Sequence, residues 1–186
     1  MTRKILVTYA SRTGSTAEVA QTICKSLTPP SLPAPNASHL EEVVVDVLPM
    51  QQVEDLSEYQ AVIAGSAIRS SKWLPEAVQF VRAHQSTLRH KPFAMFTVCI
   101  TLAMAKGEQY RPAVAGWTAP VRRIATPLSE GIFAGRLDFG KLPFSWDTLL
   151  FRLTVALGIF PRGDHRDWNA IRTWAESLKP LLSIPA

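Results

Sequence analysis

The sequence predicts an α/β fold: a doubly wound, five-stranded parallel sheet with helices on both faces. Three observations predict it. Short runs rich in β-branched and aromatic residues recur at 3–9, 43–47, 59–66, 93–99 and 130–139. Segments with apolar residues at helical spacing separate most of these runs. The first run, Arg3-Lys4-Ile5-Leu6-Val7-Thr8-Tyr9, has an unbroken apolar centre, as expected of a strand buried on both faces of a parallel sheet.

The elements follow in order. After the first strand, Ala10-Ser11-Arg12-Thr13-Gly14-Ser15-Thr16 is a hydroxyl-rich turn. Residues 16–27 read as a helix, with Ala17, Val19, Ala20, Ile23 and Leu27 at helical spacing. Pro29, Pro30, Pro33 and Pro35 exclude a helix or a central strand from 28–39, which is read as an exposed loop. The segment before that loop is too short to form a domain, so 1–186 is read as one. Val43 to Val47 is the second strand, and 48–58 is expected to hold one short helical turn. Tyr59 to Ser66 is the third strand, ending in small residues. Leu74 to Leu88 is expected to be helical, with Val78, Val81 and Leu88 on one stripe and Pro75 in the first turn. Phe93 to Cys99 is the fourth strand. A helix over 111–125 is weakened by Gly116 and Pro120. Glu130 to Phe139 is the fifth strand, with Gly131 and Gly135 inside it. Residues 144–160 and 166–179 are the last helical segments. Strands alternating with helices imply right-handed crossovers and a parallel sheet.

Composition removes several function classes. The chain is 47% hydrophobic and 19% charged, outside the class that stays disordered. Its net charge of +5 favours anionic partners such as phosphate groups or a membrane surface. No Lys/Arg run or aromatic-basic repeat is present, so nucleic acid is not expected as a partner. Cys24 and Cys99 make no CxxC pair and read as buried thiols. His39, His84, His90 and His165 lack metal-ligand spacing, so no metal site is expected. Asp138 and Asp147 read as solvated surface groups, and Trp168 and Trp174 as core packing. The apolar run Ile5-Leu6-Val7 is too short for a signal-peptide core, and no stretch is long and apolar enough to span a membrane. A cytoplasmic location is expected.

In an open parallel sheet, ligands sit beyond the carboxyl ends of the strands where the winding reverses. The turn after the first strand is therefore the most informative. Ser11, Thr13, Ser15 and Thr16 bring four hydroxyls into six residues, beside Arg12 and Gly14, at a helix N-terminus. Helix N-termini present unpaired N–H groups and partial positive charge to anions, and Gly14 permits close backbone approach. A helix cap needs one hydroxyl; four point to a phosphate. No G-x-x-x-x-G-K-[ST] and no G-x-G-x-x-G follows a strand, which argues against a nucleotide-hydrolysing loop and a dinucleotide fingerprint. Ala10 and Ser66 stand where metal-assisted phosphoryl transfer would need acids.

The stretch Ile5 to Thr16 resembles the first strand and phosphate loop of flavodoxins: a hydroxyl residue, any residue, Thr-Gly, any residue, Thr. Ala64-Gly65-Ser66-Ala67-Ile68-Arg69, Ala134-Gly135-Arg136-Leu137-Asp138 and Asp167-Trp168 resemble the flavodoxin-domain proteins related to quinone-dependent protoporphyrinogen dehydrogenase. The resemblance covers nearly the whole chain. It implies the flavodoxin-like strand order 2-1-3-4-5 and one bound FMN. By that analogy Ser11 to Thr16 hold the phosphate. Ser66, Ala67, Ile68 and Arg69 border the flavin ring on one side, and Cys99, Ile100, Thr101 and Leu102 on the other. Trp73 is the candidate stacking aromatic on one face, and the 99–105 loop has none until Tyr110. The ring carries the redox chemistry itself, so no side chain is singled out as catalytic.

The function expected is an FMN-dependent oxidoreductase acting on protoporphyrinogen or a quinone. The alternatives are an electron-transfer flavodoxin and a non-catalytic flavin-binding interaction domain. Shuttle flavodoxins are usually acidic, and this chain is +5, which disfavours the shuttle. Residues 139–163 read as an apolar helical insert with Phe139, Phe144, Trp146, Phe151 and Phe160 among leucines, punctuated by Lys141, Arg152 and Arg162, with Arg166 just beyond. Packing on the core or on a twin subunit is the favoured reading. A peripheral contact at the inner membrane surface, meeting a quinone or porphyrin, is the other.

Overall fold

The computed structural model describes residues 2–29, 43–137 and 163–182. Apart from its last residue, Gly163, the insert at 139–163 lies outside them. So do Asp138, Asp147 and most of the proline loop.

Strands β1 (Arg3–Ala10), β2 (Val43–Pro49), β3 (Ala61–Arg69), β5 (Phe93–Cys99) and β6 (Ser129–Ala134) form a parallel sheet in the order β2-β1-β3-β5-β6. This is the expected order. A short antiparallel strand, β4 (Lys72–Trp73), joins β3 through Ile68↔Trp73 and Arg69↔Lys72. Ser70 and Ser71 between them both have positive φ, 49° and 58°. That pair closes a two-residue hairpin of the mirror-image type whose twist matches the strands.

Both faces of the sheet are covered, which is why its strands read as continuous apolar runs. Ile5, Val7, Ile63, Phe96 and Val98 pack under α1 (Ser15–Leu27) and α6 (Trp168–Leu181), through Val19, Ile23, Ile171 and Leu178. On the other face Leu6, Val62, Ala64 and Met95 meet α2 (Pro75–Ala83), α3 (Gln85–Leu88) and α5 (Ala119–Ile124), through Leu74, Phe80, Val81, Leu88 and Val121. Trp174 lies against Phe133 and Phe96, with ring centroids 5.6 and 6.3 Å away, and its indole N–H donates to Ser129 Oγ at 3.0 Å. It is core packing, as expected.

Several boundaries differ from the sequence reading. The 111–125 helix is two helices, α4 (Arg111–Trp117) and α5, joined at Thr118. Pro120 has no N–H for the Gly116 carbonyl, so the helical ladder breaks there. The 74–88 helix is interrupted at His84. Tyr59 precedes β3; its hydroxyl donates to Asp46 at 3.1 Å, and burial followed by that carboxylate pushes its pKa up to about 12. The single turn expected in 48–58 is a 3-10 turn at Met50–Gln52. The largest departure is the fifth strand. β6 stops at Ala134, and after Gly135 the chain forms β7 (Arg136–Leu137), which pairs antiparallel with β8 (Gly163–Asp164) instead of extending the sheet.

Gly65 and Phe96 are register partners on β3 and β5. A Cβ at Gly65 would lie 2.0 Å from Phe96 Cζ, because the ring lies across the glycine. Gly65→Val should therefore destabilise the fold by about 1–3 kcal/mol, because the buried Phe96 ring must be displaced. Urea denaturation of the variant against the parent protein measures this.

Candidate functional site at the carboxyl edge of the sheet

Ala10, Ser66 and Thr97 are neighbours across β1, β3 and β5. The loops that follow them leave the same edge of the sheet. The winding reverses between β1 and β3, so the crevice expected of such a sheet opens at that edge.

The turn after β1 is held from within. Ser11 Oγ accepts from the Gly14 N–H at 3.1 Å. Gly14, at φ 88°, is the N-cap residue of α1, in a left-handed conformation that a glycine adopts without strain. No side chain caps the helix. The four hydroxyls of the turn thus do not serve as its cap. Thr16 gives the sharper signal: it is 1% exposed, and its Oγ1 is buried without a hydrogen-bond partner among the described residues. A buried hydroxyl left unpaired costs about 1–3 kcal/mol. A phosphate oxygen at this helix start would satisfy it together with the first-turn N–H groups. The donor set therefore fits a phosphate.

Arg12 turns away from the loop. Its guanidinium binds Glu76, in the first turn of α2, through both nitrogens, with Nη2–Oε2 at 2.9 Å. Burial works to raise the Glu76 carboxyl, but the Arg12 pairing and a backbone N–H outweigh it and hold it below the ordinary value near 4.5. Arg12 therefore ties the turn to α2.

Ser66 is fully buried, and its hydroxyl is used internally: it donates to the Ala67 carbonyl at 2.8 Å and accepts from the Leu74 N–H at 3.0 Å. Ala67 and Ile68 are half-buried and Arg69 is exposed. Trp73, the candidate stacking aromatic, is 3% exposed. Its indole N–H donates to Thr97 Oγ1 at 2.9 Å. It packs in the core and offers no open face, so that expectation is corrected. On the other side Cys99 and Leu102 are buried, with Ile100 and Thr101 half-buried in a 3-10 turn. Burial pushes the Cys99 thiol up, despite hydrogen bonds around Thr101, so it is no reactive thiolate. Gly107 closes this loop: a Cβ there would lie 2.0 Å from the Leu102 carbonyl oxygen. Tyr110 follows, 42% exposed. No group of His, Cys, Asp and Glu among the described residues is arranged to hold a metal.

The sequence reading missed one component. Arg166 had counted only as a basic residue at the border of the insert. Its side chain is 1% exposed. It donates to Ser15 O at 3.1 Å, to Glu18 at 2.7 Å and to Asp164 at 2.7 and 2.6 Å, and lies over the Trp168 ring at 4.3 Å. The Arg136 N–H reaches Ser15 Oγ at 3.3 Å. The β7–β8 ribbon is thereby fastened to the first turn of α1. One surface groove of about 630 Å³ lies between α1 and α6; another of about 720 Å³ lies between α2 and α4–α5 and is bordered by the β3–β4 hairpin through Ser71, Lys72 and an edge of Trp73.

Residues 6–155 match the flavodoxin domain model. The chain belongs to the flavodoxin domain family. Among curated proteins it is 24% identical to "Protoporphyrinogen IX dehydrogenase [quinone]" of Leishmania major, over 98% of this chain and 78% of that one. Among solved structures, a short-chain flavodoxin associated with a non-canonical PDU bacterial microcompartment superposes with a TM-score of 0.55 at 19% identity, covering 97% of this chain and 99% of that one. A flavodoxin of Streptococcus pneumoniae TIGR4 gives 0.51 at 16% identity, covering 95% and 98%. These structural likenesses establish the shared fold. In this flavodoxin domain the turn, the 66–69 segment and the 99–102 turn that the sequence singled out all leave the carboxyl edge of the sheet.

Two tests follow from this geometry. Thr16→Val removes the unpaired hydroxyl at nearly constant volume, so the ligand-free protein should melt at an unchanged or higher temperature, with a gain of up to about 1 kcal/mol. A melting temperature that falls would mean the hydroxyl has a partner. The Arg12–Glu76 pair stabilises the native state above the ordinary glutamate pKa, and that contribution is lost as pH falls through the lower native value. Arg12→Met should therefore flatten the decline in stability below about pH 4.5, as followed by acid titration of the folded signal.

Proposed function

We propose that this chain is an FMN-dependent oxidoreductase whose 11–16 turn holds the FMN phosphate. The observation that carries the reading is the buried, unpartnered Thr16 Oγ1 at the start of an α1 that no side chain caps. Ser11 shapes the turn through Gly14, and Thr13, Ser15 and Thr16 supply hydroxyls around it. The 66–69 and 99–102 segments flank the flavin ring, oriented from beneath by Ser66 and Thr97, which fix Leu74 and Trp73. Bound FMN accepts and returns reducing equivalents at its ring. With Trp73 in the core, these segments leave a ring face for a flat partner, and Tyr110 is the exposed aromatic at the end of the 99–110 loop.

The substrate we propose is protoporphyrinogen, with a quinone as acceptor. The Leishmania relative's name supports this, and so does a chain charge of +5, which suits carboxylates better than the basic partners of shuttle flavodoxins. We read 139–163 as the apolar approach to the site, since its flanks Leu137 and Gly163 pair in the ribbon beside Ser15. No helix among the described residues is long and apolar enough to cross a membrane. Contact with a quinone-bearing membrane surface is peripheral in this reading, through the basic and apolar residues of 139–163.

FMN titrated into the purified protein should bind and quench, and Thr13→Glu with Thr16→Glu should abolish binding by placing carboxylates against the phosphate. The loaded protein should then oxidise protoporphyrinogen with a lipophilic quinone. Flavin binding with rapid electron exchange to a redox protein, but no porphyrinogen turnover, would favour the shuttle instead.

A further inference from the structure

The turn read above as the phosphate site stands beside a carboxylate. Glu18 lies in the first turn of α1, at the end of the helix where an anion is held. A carboxylate there repels a phosphate. Two guanidinium groups meet it: Arg166 Nη2 is 2.7 Å from Glu18 Oε2, and Arg136 Nη1 is 3.7 Å from Oε1. Glu18 and Arg136 are partly open to solvent, whereas the Arg166 side chain is 1% exposed. Arg166 also holds both oxygens of Asp164 and the Ser15 carbonyl, one residue before Thr16.

We propose that Arg166 is a positioning residue that makes the 11–16 turn selective for phosphorylated flavin, by neutralising Glu18 and fixing the Ser15 peptide. The proposal rests on the reading of that turn as the FMN phosphate site. Among the described residues, Glu18, Asp164, Arg136 and Arg166 form a cluster of two carboxylates and two guanidinium groups. Removing Arg166 leaves one uncompensated negative charge at the helix start, where Coulomb repulsion acts on a dianion and spares a neutral flavin. The cluster fastens the ribbon to α1 and also sets the charge at the helix start; a buried ion pair is by itself weak evidence of a purely stabilising role.

The test compares FMN with riboflavin, which has the same ring system and no phosphate. Binding is followed by flavin fluorescence at low and moderate ionic strength, in the full-length parent chain, Arg166→Met, Glu18→Gln and the double variant. Arg166→Met should weaken FMN roughly tenfold or more, with the larger loss at low salt, while riboflavin changes by less than about twofold. Adding Glu18→Gln should recover most of the FMN affinity. Glu18→Gln alone, at a partly exposed position, should tighten FMN severalfold and leave riboflavin unchanged, which decides the matter even if Arg166→Met does not fold. Parallel loss of FMN and riboflavin in Arg166→Met, or no effect of Glu18→Gln on FMN, would overturn the proposal and leave the FMN reading standing. A parent protein that binds neither flavin would overturn both.

Discussion

The site depends on one row of the central sheet, in which Ala10, Ser66 and Thr97 sit side by side on β1, β3 and β5. The parallel hydrogen-bond ladder holds these three residues at one level near the carboxyl ends of their strands. Two of the three residues carry buried hydroxyls, and both are committed: Ser66 to Leu74 N–H, Thr97 to the Trp73 indole. The row therefore also anchors the β3–β4 hairpin and the start of α2. Glu76, three residues after Trp73, in turn holds Arg12 and the turn after β1. A chain of directional contacts thus runs from the sheet interior back to the loop at its edge.

The local parts of this arrangement were legible in the sequence. A strand, a Gly-hydroxyl turn and a helix follow one another within residues 3–27, and the apolar spacing, Gly14 and the hydroxyls all act over a few positions. What was not legible depends on distant partners. The fifth strand reads as continuous through Gly135, because nothing nearby shows that Arg136–Leu137 will pair with Gly163–Asp164. Trp73 reads as a stacking surface until Thr97, on another strand, claims its N–H. Ser70-Ser71 carries no sign of a mirror-image turn, for which Asn-Gly is the usual pair, and the hairpin imposes that backbone on it. Arg166 looks like one more surface cation. Its partners Ser15 and Glu18 stand at the other end of the chain, and only the fold brings them within reach.

Charge follows the same logic. The excess of basic residues suggests a positive surface, yet several arginines are paired with carboxylates, and the Arg166 side chain is buried. Arg12 is bound to Glu76, Arg111 to Glu108, Arg122 to Glu130, and Arg166 to Asp164 and Glu18. The planar guanidinium suits such two-pronged pairing with a carboxylate better than the ammonium of Lys. Net charge describes the whole chain and says little about the field at its turn.

The β7–β8 ribbon separates two kinds of variation. It is only two residue pairs long, and the Arg136 N–H and Arg166 bind it to α1. Its paired ends meet whatever length of chain runs between Leu137 and Gly163, and the entropy of closing that loop grows only with the logarithm of its length. Residues gained or lost in that interval accordingly change the cost of closing it only slightly. In evolutionary terms the ribbon is a socket. Its two ends stay fixed, while the length of the segment between them is free to vary.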